Sequence, residues 1–356
     1  MKIIAKIGRY RPYLDYIIFG ILLCCLPLLI THTEWFRFGW LTIIAGVIVY
    51  AIVALGLNLL MGYGGLFSLG TAGFMGLGAY LTAFFTQELN WGFFLSIVVT
   101  VAITGVLGIL VGLMSLRVEG FFLAMGTLAI AEILRQVFGE FTWFTNGFSG
   151  RQARFPVIFP RAGDSINNVL PESMAIFGSP LSRNLTFIVL VIFLVIAMVI
   201  AHNITKSYTG RALSAMSGSE AAATAMGVNV LKYRLIIFSI STAFAGLGGA
   251  LYMHFIRFTT PDIWMFTLSL MIFAAVVIGG VRSIAGTVIG CFIVFGAPDL
   301  ILANLPVIGD INGMSFVFTG VLIIVVVMYY PAGLVYIGSD FKKLIRKIFR
   351  KGGGTV

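Results

Sequence analysis

The chain has 356 residues, of which 60% are apolar and only 10% are charged, and its mean hydropathy is +1.06. Soluble domains carry about a quarter charged residues, so this composition excludes a soluble globular or disordered protein. The net charge of +10 therefore reports membrane topology, and we expect no nucleic-acid partner. Apolar runs long enough to cross about 30 Å of hydrocarbon recur along the chain, without the alternation of a membrane β-barrel.

These runs predict an all-α fold, a polytopic membrane helical bundle of about ten transmembrane helices. An even number of spans places both termini on one side of the membrane. Lys and Arg concentrate in the connections on that side, so the positive-inside rule predicts that both termini are cytoplasmic. The predicted spans are residues 14–30, 40–60, 66–85, 93–115, 120–138, 184–201, 235–255, 264–280, 287–303 and 314–330.

The chain is predicted to form one transmembrane domain over residues 1–356, with three segments that lie outside the bilayer. Residues 139–183 are predicted to be a proline-containing extracytoplasmic loop. Residues 203–234 are predicted to be a cytoplasmic segment with a short helix between basic flanks. Residues 340–356 are a basic cytoplasmic tail, whose apolar residues at helical spacing are typical of a helix lying on an anionic lipid bilayer.

The connection Met61–Ser68, between the second and third predicted spans, is rich in glycine and free of charge. One interpretation is a helix break buried in protein, whose free N–H groups face an anionic ligand. Ser68 and Thr71 then lie on the first turn of the next helix, and Gly64 and Gly65 allow close approach of the ligand to the backbone. The alternative is a tight hairpin at the inner surface that merely lacks charge.

Few polar side chains lie inside the predicted spans. Glu132 and Arg135 are three residues apart on one helical face, where pairing reduces the cost of burying either charge. They form either a structural ion pair or a contact for substrate or gating. Asn58 and Thr127 are either interhelical hydrogen-bonding residues or contacts along a substrate pathway.

The cytoplasmic segment contains a helix-start pattern. Ser217-Gly-Ser-Glu220 fits a capping box with Ser217 as the N-cap. Alanines that include Ala221 and Ala222 favour a helix, and Gly227 is suited to end it. Capping alone explains Glu220, but a small alanine-rich helix between two spans is typical of a docking surface for another protein. Its N-terminal basic flank includes Arg211.

Several signatures of chemistry are missing from the sequence. It contains no G-x-x-x-x-G-K-[ST] run, so any ATP chemistry must come from a partner. It also lacks His-Glu-x-x-His and Gly-x-Ser-x-Gly. Cys24, Cys25 and Cys291 lie in apolar runs without the spacing of metal ligands. We therefore predict no catalytic residue, no metal site and no cofactor.

Taken as a set, five stretches resemble the LivM-type permeases of branched-chain amino acid ABC transporters, and the resemblance runs from about residue 45 to 335. The stretches are Asn58–Ala79, Gly120–Arg135, Thr145–Gly150, Gly210–Gly227 and Val277–Gly286.

The resemblance implies a bacterial inner-membrane subunit that translocates branched-chain or similar small aliphatic amino acids. It implies four partners: a homologous second permease, two ABC ATPase subunits that bind the ATP, and an extracytoplasmic substrate-binding protein. The expected substrate-pathway residues are Asn58, Gly64, Gly65, Ser68, Thr71, Thr127 and Glu132. The expected ATPase-coupling residues are Arg211, Glu220, Ala221, Ala222 and Gly227.

Alternative functions stay open at this point. A urea or short-amide permease is the nearest, because the same permease family serves those systems. An ion-coupled secondary transporter needs intramembrane carboxylates, and only Glu132 qualifies, with Arg135 to neutralise it. An integral-membrane enzyme lacks paired catalytic groups.

Overall fold

The computed structural model describes residues 2–27, 39–114, 120–153, 183–302, 314–329 and 333–334. Within these ranges the chain is almost entirely helical. The longer helices are α1 (Lys2–Cys24), α2 (Gly39–Asn58), α3 (Thr71–Gln87), α4 (Phe93–Met114), α5 (Phe121–Glu140), α7 (Arg183–Lys206), α8 (Tyr208–Gly218), α10 (Val230–Ile256), α11 (Phe266–Gly279) and α14 (Met314–Tyr329). The shorter helices are α6 (Thr142–Thr145), α9 (Glu220–Ala225), α12 (Ile284–Cys291) and α13 (Ala297–Leu302).

The described residues include two π turns. Helix α2 runs on into a π turn at Leu59–Tyr63. Helices α12 and α13 are joined by another π turn at Phe292–Gly296. Single-turn π segments inside α-helices are frequent at functional sites.

Among the described residues, five helices are long and apolar enough to cross a membrane, which confirms an all-α membrane bundle. These are Gly39–Tyr63, Phe93–Leu113, Phe121–Glu140, Asn184–Lys206 and Val230–Ile256. Three shorter apolar helices accompany them at Pro12–Cys24, Phe266–Gly279 and Ile284–Leu300. Each of the ten predicted spans overlaps a helix, although the third begins at Thr71 rather than at residue 66. The tail and residues 154–182 of the predicted loop lie outside the described residues.

Helix α10 lies at the centre of the bundle and packs against α2, α3 and α4. Glycines bring it close to its neighbours. A Cβ atom added to Gly78 of α3 would lie 2.5 Å from the carbonyl oxygen of Gly246 in α10, and Gly249 lies against the backbone of Met75. Gly108 of α4 contacts α10 in the same way at Thr242. Small residues at these positions let membrane helices approach closely.

The two ends of α10 define the two ends of the molecule, because a helix of 27 residues is about 40 Å long. At its start lie α8 and α9 with Lys206, Arg211, Lys232 and Arg234; we call this the basic end. At its finish, β2 (Phe258–Thr259) pairs antiparallel with β1 (Arg151–Gln152); we call this the strand end.

Candidate functional site

The connection between α2 and α3 is an extended break that lies at the basic end. Gly65 has a φ of +67°, which glycine adopts without strain, and a Cβ atom there would lie 3.1 Å from Cβ of Ser217 in α8. Leu66 and Ser68 are buried, whereas Gly65 and Phe67 are exposed. The break is therefore covered by protein along one side only, and it lies directly beside the segment that connects α7 to α10.

The start of α3 differs from the sequence expectation in two respects. The helix begins at Thr71, so Ser68 precedes its first turn. The backbone N–H of Leu69 donates to Oγ1 of Thr127 at 3.0 Å, and the N–H of Ala72 donates to Oγ of Ser269 at 2.9 Å. These two N–H groups, which were expected to be open to a ligand, are thus occupied by hydroxyls of neighbouring helices.

A cavity of about 10 Å³ lies beside the break. Ser68 and Thr71 contribute to its lining, together with Ser241 and Thr242 of α10. A space of this size holds at most about one water molecule. The structure therefore has the break closed to any molecule as large as an amino acid.

Asn58 and Arg282 connect the break to two other elements. The Asn58 side chain is buried. Its amide nitrogen donates to the Ser283 carbonyl at 3.0 Å and to Oγ1 of Thr287. Its amide oxygen accepts from the Arg282 N–H at 2.9 Å. Arg282 in turn donates from Nε to the Gly62 carbonyl and from Nη2 to Oγ of Ser217. The Asn58 donors are both used, so this residue holds the turn before α12 in place.

Arg282 is one of the few residues other than glycine with a positive φ, +72°. The Tyr63 hydroxyl donates to its carbonyl at 3.2 Å. Arg282 thereby joins the π turn at the end of α2, the turn before α12, and α8. No sequence pattern singled out this residue, since its partners are far away along the chain.

The predicted cytoplasmic segment contains two capped helices, and the predicted N-cap was wrong by two residues. Ser219, not Ser217, caps α9, with its oxygen accepting from the Ala222 N–H at 3.3 Å. Ser217 lies in the last turn of α8, where its hydroxyl donates to the Ser214 carbonyl. Gly227 has a φ of +83° just after the helix end, as a terminating glycine should.

Glu220 does not reach back to form a capping box. Its carboxylate pairs with Arg234 of α10 at 2.5 Å, and Arg234 is buried while Glu220 is half-exposed. Ala221, Ala222 and Met226 are exposed, Met226 to 86%. The ion pair anchors α9 on the end of α10 and leaves a small apolar surface facing outward.

Arg211, on the neighbouring helix α8, also faces outward. Its Nη1 donates to the Lys206 carbonyl at 3.3 Å, and its guanidinium lies 6.0 Å from the centre of the Tyr208 ring. The basic end therefore combines exposed cationic side chains with the apolar surface of α9.

The Glu132–Arg135 pair lies within α5. Nε of Arg135 donates to both carboxylate oxygens at 2.9 and 3.0 Å, and Gln136 donates to the same carboxylate. Glu132 is 42% exposed, and the apolar side chains of Met125 and Ile133 are also exposed on this helix. The ion pair is thus formed, and it lies on a surface that no other described element covers fully.

A second buried arginine, Arg151, connects β1, α6 and the end of α3 at the strand end. Arg151 of β1 pairs with Glu88 at 2.7 Å, donates to Oε1 of Gln87 and to the Phe144 carbonyl, and lies over the ring of Phe84. These contacts fix β1 and the short helix α6 onto the end of α3. The described part of the predicted extracytoplasmic loop is therefore an ordered cap on the bundle.

Long apolar helices, a glycine-rich break between two of them, and a short capped helix exposed at one end define a multi-pass membrane permease. Comparison with known proteins makes this class specific. The family described as "Branched-chain amino acid transport system / permease component" matches residues 39–327, so the chain belongs to this family.

Among individual relatives, the chain is similar to two proteins named high-affinity branched-chain amino acid transport system permease protein LivM, from Salmonella typhimurium and Escherichia coli. Both are 29% identical over 301 residues, covering 80% of this chain and 67% of the relative. It is also 29% identical over 232 residues to a probable permease protein LivH of Methanocaldococcus jannaschii, covering 63% of this chain and 66% of the relative. No solved structure matches the chain.

Proposed function

We propose that this permease subunit translocates branched-chain amino acids across the bacterial inner membrane as part of an ATP-driven importer. The observation that carries the proposal is the family match, which spans nearly all the described helices. The named relatives are permeases of branched-chain amino acid transport systems. A chain with only 10% charged residues agrees with a substrate that has an aliphatic side chain.

The proposed partners are those that the branched-chain amino acid ABC transport family implies, and the sequence itself contains no ATP-binding motif. Two ABC ATPase subunits bind and hydrolyse ATP on the cytoplasmic side, a homologous second permease completes the pathway, and an extracytoplasmic binding protein delivers the substrate. ATP binding can shift this chain between conformations only if the ATP-bound and ATP-free ATPase subunits dock on it differently. The energy therefore enters where an ATPase contacts the permease.

In this proposal the chain crosses the membrane ten times, with both termini and the basic end in the cytoplasm. The support is the gathering of Lys206, Arg211, Lys232 and Arg234 at one end of α10. Single cysteines at Ser149 and Ser219, in a chain freed of its native cysteines, test this orientation. An impermeant maleimide should label them from opposite sides of the membrane, and same-side labelling would refute the orientation.

Coupling is assigned to α9 and its flanks. The Glu220–Arg234 pair holds α9 on α10, so a force on α9 reaches α10 directly. Ala221, Ala222 and Met226 form the exposed surface for an ATPase groove, Gly227 ends the helix, and Arg211 lies beside it. A helix laid into a groove by its small apolar face is a recurring mode of recognition.

The pathway is assigned to the break and its surroundings. Gly64, Gly65, Ser68 and Thr71 supply backbone and hydroxyl groups to a passing amino acid. Because the cavity beside them is only about 10 Å³, passage requires the break to move.

Three further pathway residues, Asn58, Thr127 and Glu132, lie around the break rather than within it. Asn58 and Thr127 position the break through their bonds to the Arg282 and Leu69 N–H groups. Glu132, half-exposed on α5, faces the second permease across the pathway. The cost of a charge in lipid favours a protein or water environment for this carboxylate.

The test is ATP-dependent uptake by the assembled complex in proteoliposomes. Radiolabelled leucine should accumulate only with ATP, and excess urea or acetamide should not compete. ATP-dependent uptake of radiolabelled urea or acetamide, without leucine uptake, would favour the amide permease instead. Uptake driven by an ion gradient without ATP would overturn the proposal.

Two variants at Ala222 separate docking from folding. Ala222 is exposed and takes no part in the Glu220–Arg234 pair, so Ala222→Trp should leave the chain folded but block the docking surface. We expect leucine uptake to fall about tenfold or more, whereas the matched Ala222→Ser variant keeps the small volume and should transport normally. Glu220→Arg should abolish uptake as well, and full uptake by both Ala222→Trp and Glu220→Arg would exclude coupling at α9.

A further inference from the structure

A largely apolar cavity lies at the strand end, far from the break. Its volume is about 540 Å³, within the range of small-molecule pockets. It opens between the first half of α2, the connection that follows α10, and α13. Because the basic end is assigned to the cytoplasm, this cavity faces the side from which substrate arrives.

Two tyrosines line this cavity without using their hydroxyl groups. Tyr252 is only 9% exposed, its ring packs edge-on against Trp264, and its hydroxyl makes no hydrogen bond with any described residue. Tyr50 stacks on Phe295 with ring centres 4.4 Å apart, and its hydroxyl likewise has no hydrogen-bond partner in the described part of the chain. Neither hydroxyl oxygen is fully buried, so both are accessible from the cavity and available to a ligand.

Two carboxylates line the same cavity. Asp299 lies close enough to Tyr50 to interact with it electrostatically. Asp262 lies on the connection after α10, and Arg135, which lies outside the cavity, interacts with it electrostatically. Within the described ranges neither aspartate forms an ion pair, and no Lys, Arg or His lines the cavity. The cavity therefore carries negative charge and presents two free hydroxyls.

The remaining lining is mostly aliphatic, with Val47, Leu268 and Met271, and it also contains Phe295, Thr42 and Thr267. A carboxylate and tyrosine cluster at the edge of an aliphatic cavity suits a ligand with a cationic head and an apolar body. Charge-assisted hydrogen bonds to an ammonium group are about twice as strong as neutral ones.

We propose that this cavity binds the ammonium group of an aliphatic amino acid on the extracytoplasmic side, through Asp299, Asp262 and the hydroxyls of Tyr50 and Tyr252. The proposal rests on the proposed function for the choice of an amino acid as ligand. The apolar side chain lies against Val47 and the aliphatic wall of α11. The cavity is then a receiving site, distinct from the break at the basic end.

The test uses a single cysteine as reporter. Thr267 lines the cavity and is exposed, so Thr267→Cys in a chain freed of native cysteines should react with an impermeant maleimide from the outer face of spheroplasts. The probes are L-leucine, 3-methylbutylamine, which lacks the carboxylate, and 4-methylpentanoate, which lacks the ammonium group. Leucine and the amine should slow the reaction, and 4-methylpentanoate should not.

Two aspartate variants and one control position complete the design. Asp299→Asn in the Thr267→Cys background should raise the leucine concentration for half-protection about tenfold or more, because a charged partner is lost. If Asp299→Asn fails to reach the membrane, Asp262→Asn provides a second measurement of the leucine concentration for half-protection. Ser149→Cys, exposed elsewhere at the strand end, should be labelled and should not be protected by any probe.

Several outcomes overturn the inference. Equal protection by 4-methylpentanoate means that the ammonium group is not recognised, and protection by none of the probes means that the cavity is not a site for this ligand. ATP-dependent leucine uptake by the complex with no protection at Thr267→Cys would refute this inference while leaving the proposed function intact. Protection that persists unchanged in both aspartate variants would refute the assigned residues.

Discussion

The two ends of the molecule use similar polar residues in opposite ways. At the basic end, Asn58, Arg282 and Ser217 bond to one another and to backbone groups, so their side chains hold elements together. In the cavity at the strand end, the hydroxyls of Tyr50 and Tyr252 have no hydrogen-bond partner in the part of the chain that the structure describes. A satisfied polar group stabilises a conformation, whereas an unsatisfied one is available to a ligand. In our proposals, the first region transmits movement and the second receives substrate, and this comparison distinguishes the two.

The strongest way to break the comparison is Asn58→Leu, which keeps the side-chain volume and removes all three hydrogen bonds. The Arg282 N–H loses its acceptor and the Ser283 carbonyl its donor, so we expect the free energy of unfolding to fall by about 2–4 kcal/mol. Thermal unfolding of the detergent-solubilised complex measures the change. Asn58→Asp keeps the acceptor for Arg282 and should cost less. An equal loss in both variants would show that the bond accepted from the Arg282 N–H contributes little to stability.

Arg282→Ala is expected to have the next largest effect. It removes the bonds to Gly62 and Ser217 and leaves a φ of +72° that alanine adopts poorly. Leucine uptake should fall about tenfold while ATP hydrolysis continues, because α8 no longer holds the break. Arg282→Gly loses the same bonds, but glycine adopts the positive φ without strain, so this variant should be more stable than Arg282→Ala by about 1 kcal/mol. Tight coupling of hydrolysis to uptake in both variants would argue against this role.

Gly65→Val tests the close approach of the break to α8. The φ of +67° penalises a β-branched residue by about 1–2 kcal/mol, and a Cβ atom would press on Ser217. We expect reduced stability and a lower uptake rate. Gly65→Asn tolerates the backbone angle better and should separate the two causes. Wild-type uptake by Gly65→Val would mean that the break and α8 move independently.

Tyr252→Phe should have the smallest effect on stability, within about 0.5 kcal/mol, because the hydroxyl it removes has no partner among the described residues. The comparison predicts that the same variant weakens leucine protection of Thr267→Cys. Thermal unfolding and the protection assay measure the two quantities separately. A destabilisation as large as that of Asn58→Leu would mean that the strand-end tyrosines are structural too.

The sequence predicted the membrane fold well because long apolar runs have no other stable arrangement in a bilayer. It also located the helix that Gly227 ends, although both Ser217 and Ser219 satisfy the rules for an N-cap and the wrong one was chosen. It did not predict that Glu220 pairs with Arg234 or that Arg282 bonds to Ser217. Such contacts join residues that are distant along the chain, and local sequence patterns do not indicate them.

The cavity at the strand end was also missed from the sequence. Tyr50 and Asp299 lie in runs that read as ordinary spans, and only tertiary packing brings them together. Periodicity assigns a residue to a helix, but it does not reveal which side chains lack a partner once the helices have packed. Unpaired groups of this kind become visible only when every neighbour is known.

The π turn Phe292–Gly296 has a consequence for insertions and deletions in this chain. A π turn accommodates one residue more than an α turn, and each residue of an α-helix advances the chain by about 100° around the axis. Losing one residue from this turn would therefore either restore a plain α-helix or rotate Asp299 away from Tyr50. Length variation at this point would retune the direction of a carboxylate without altering a single residue of the cavity wall.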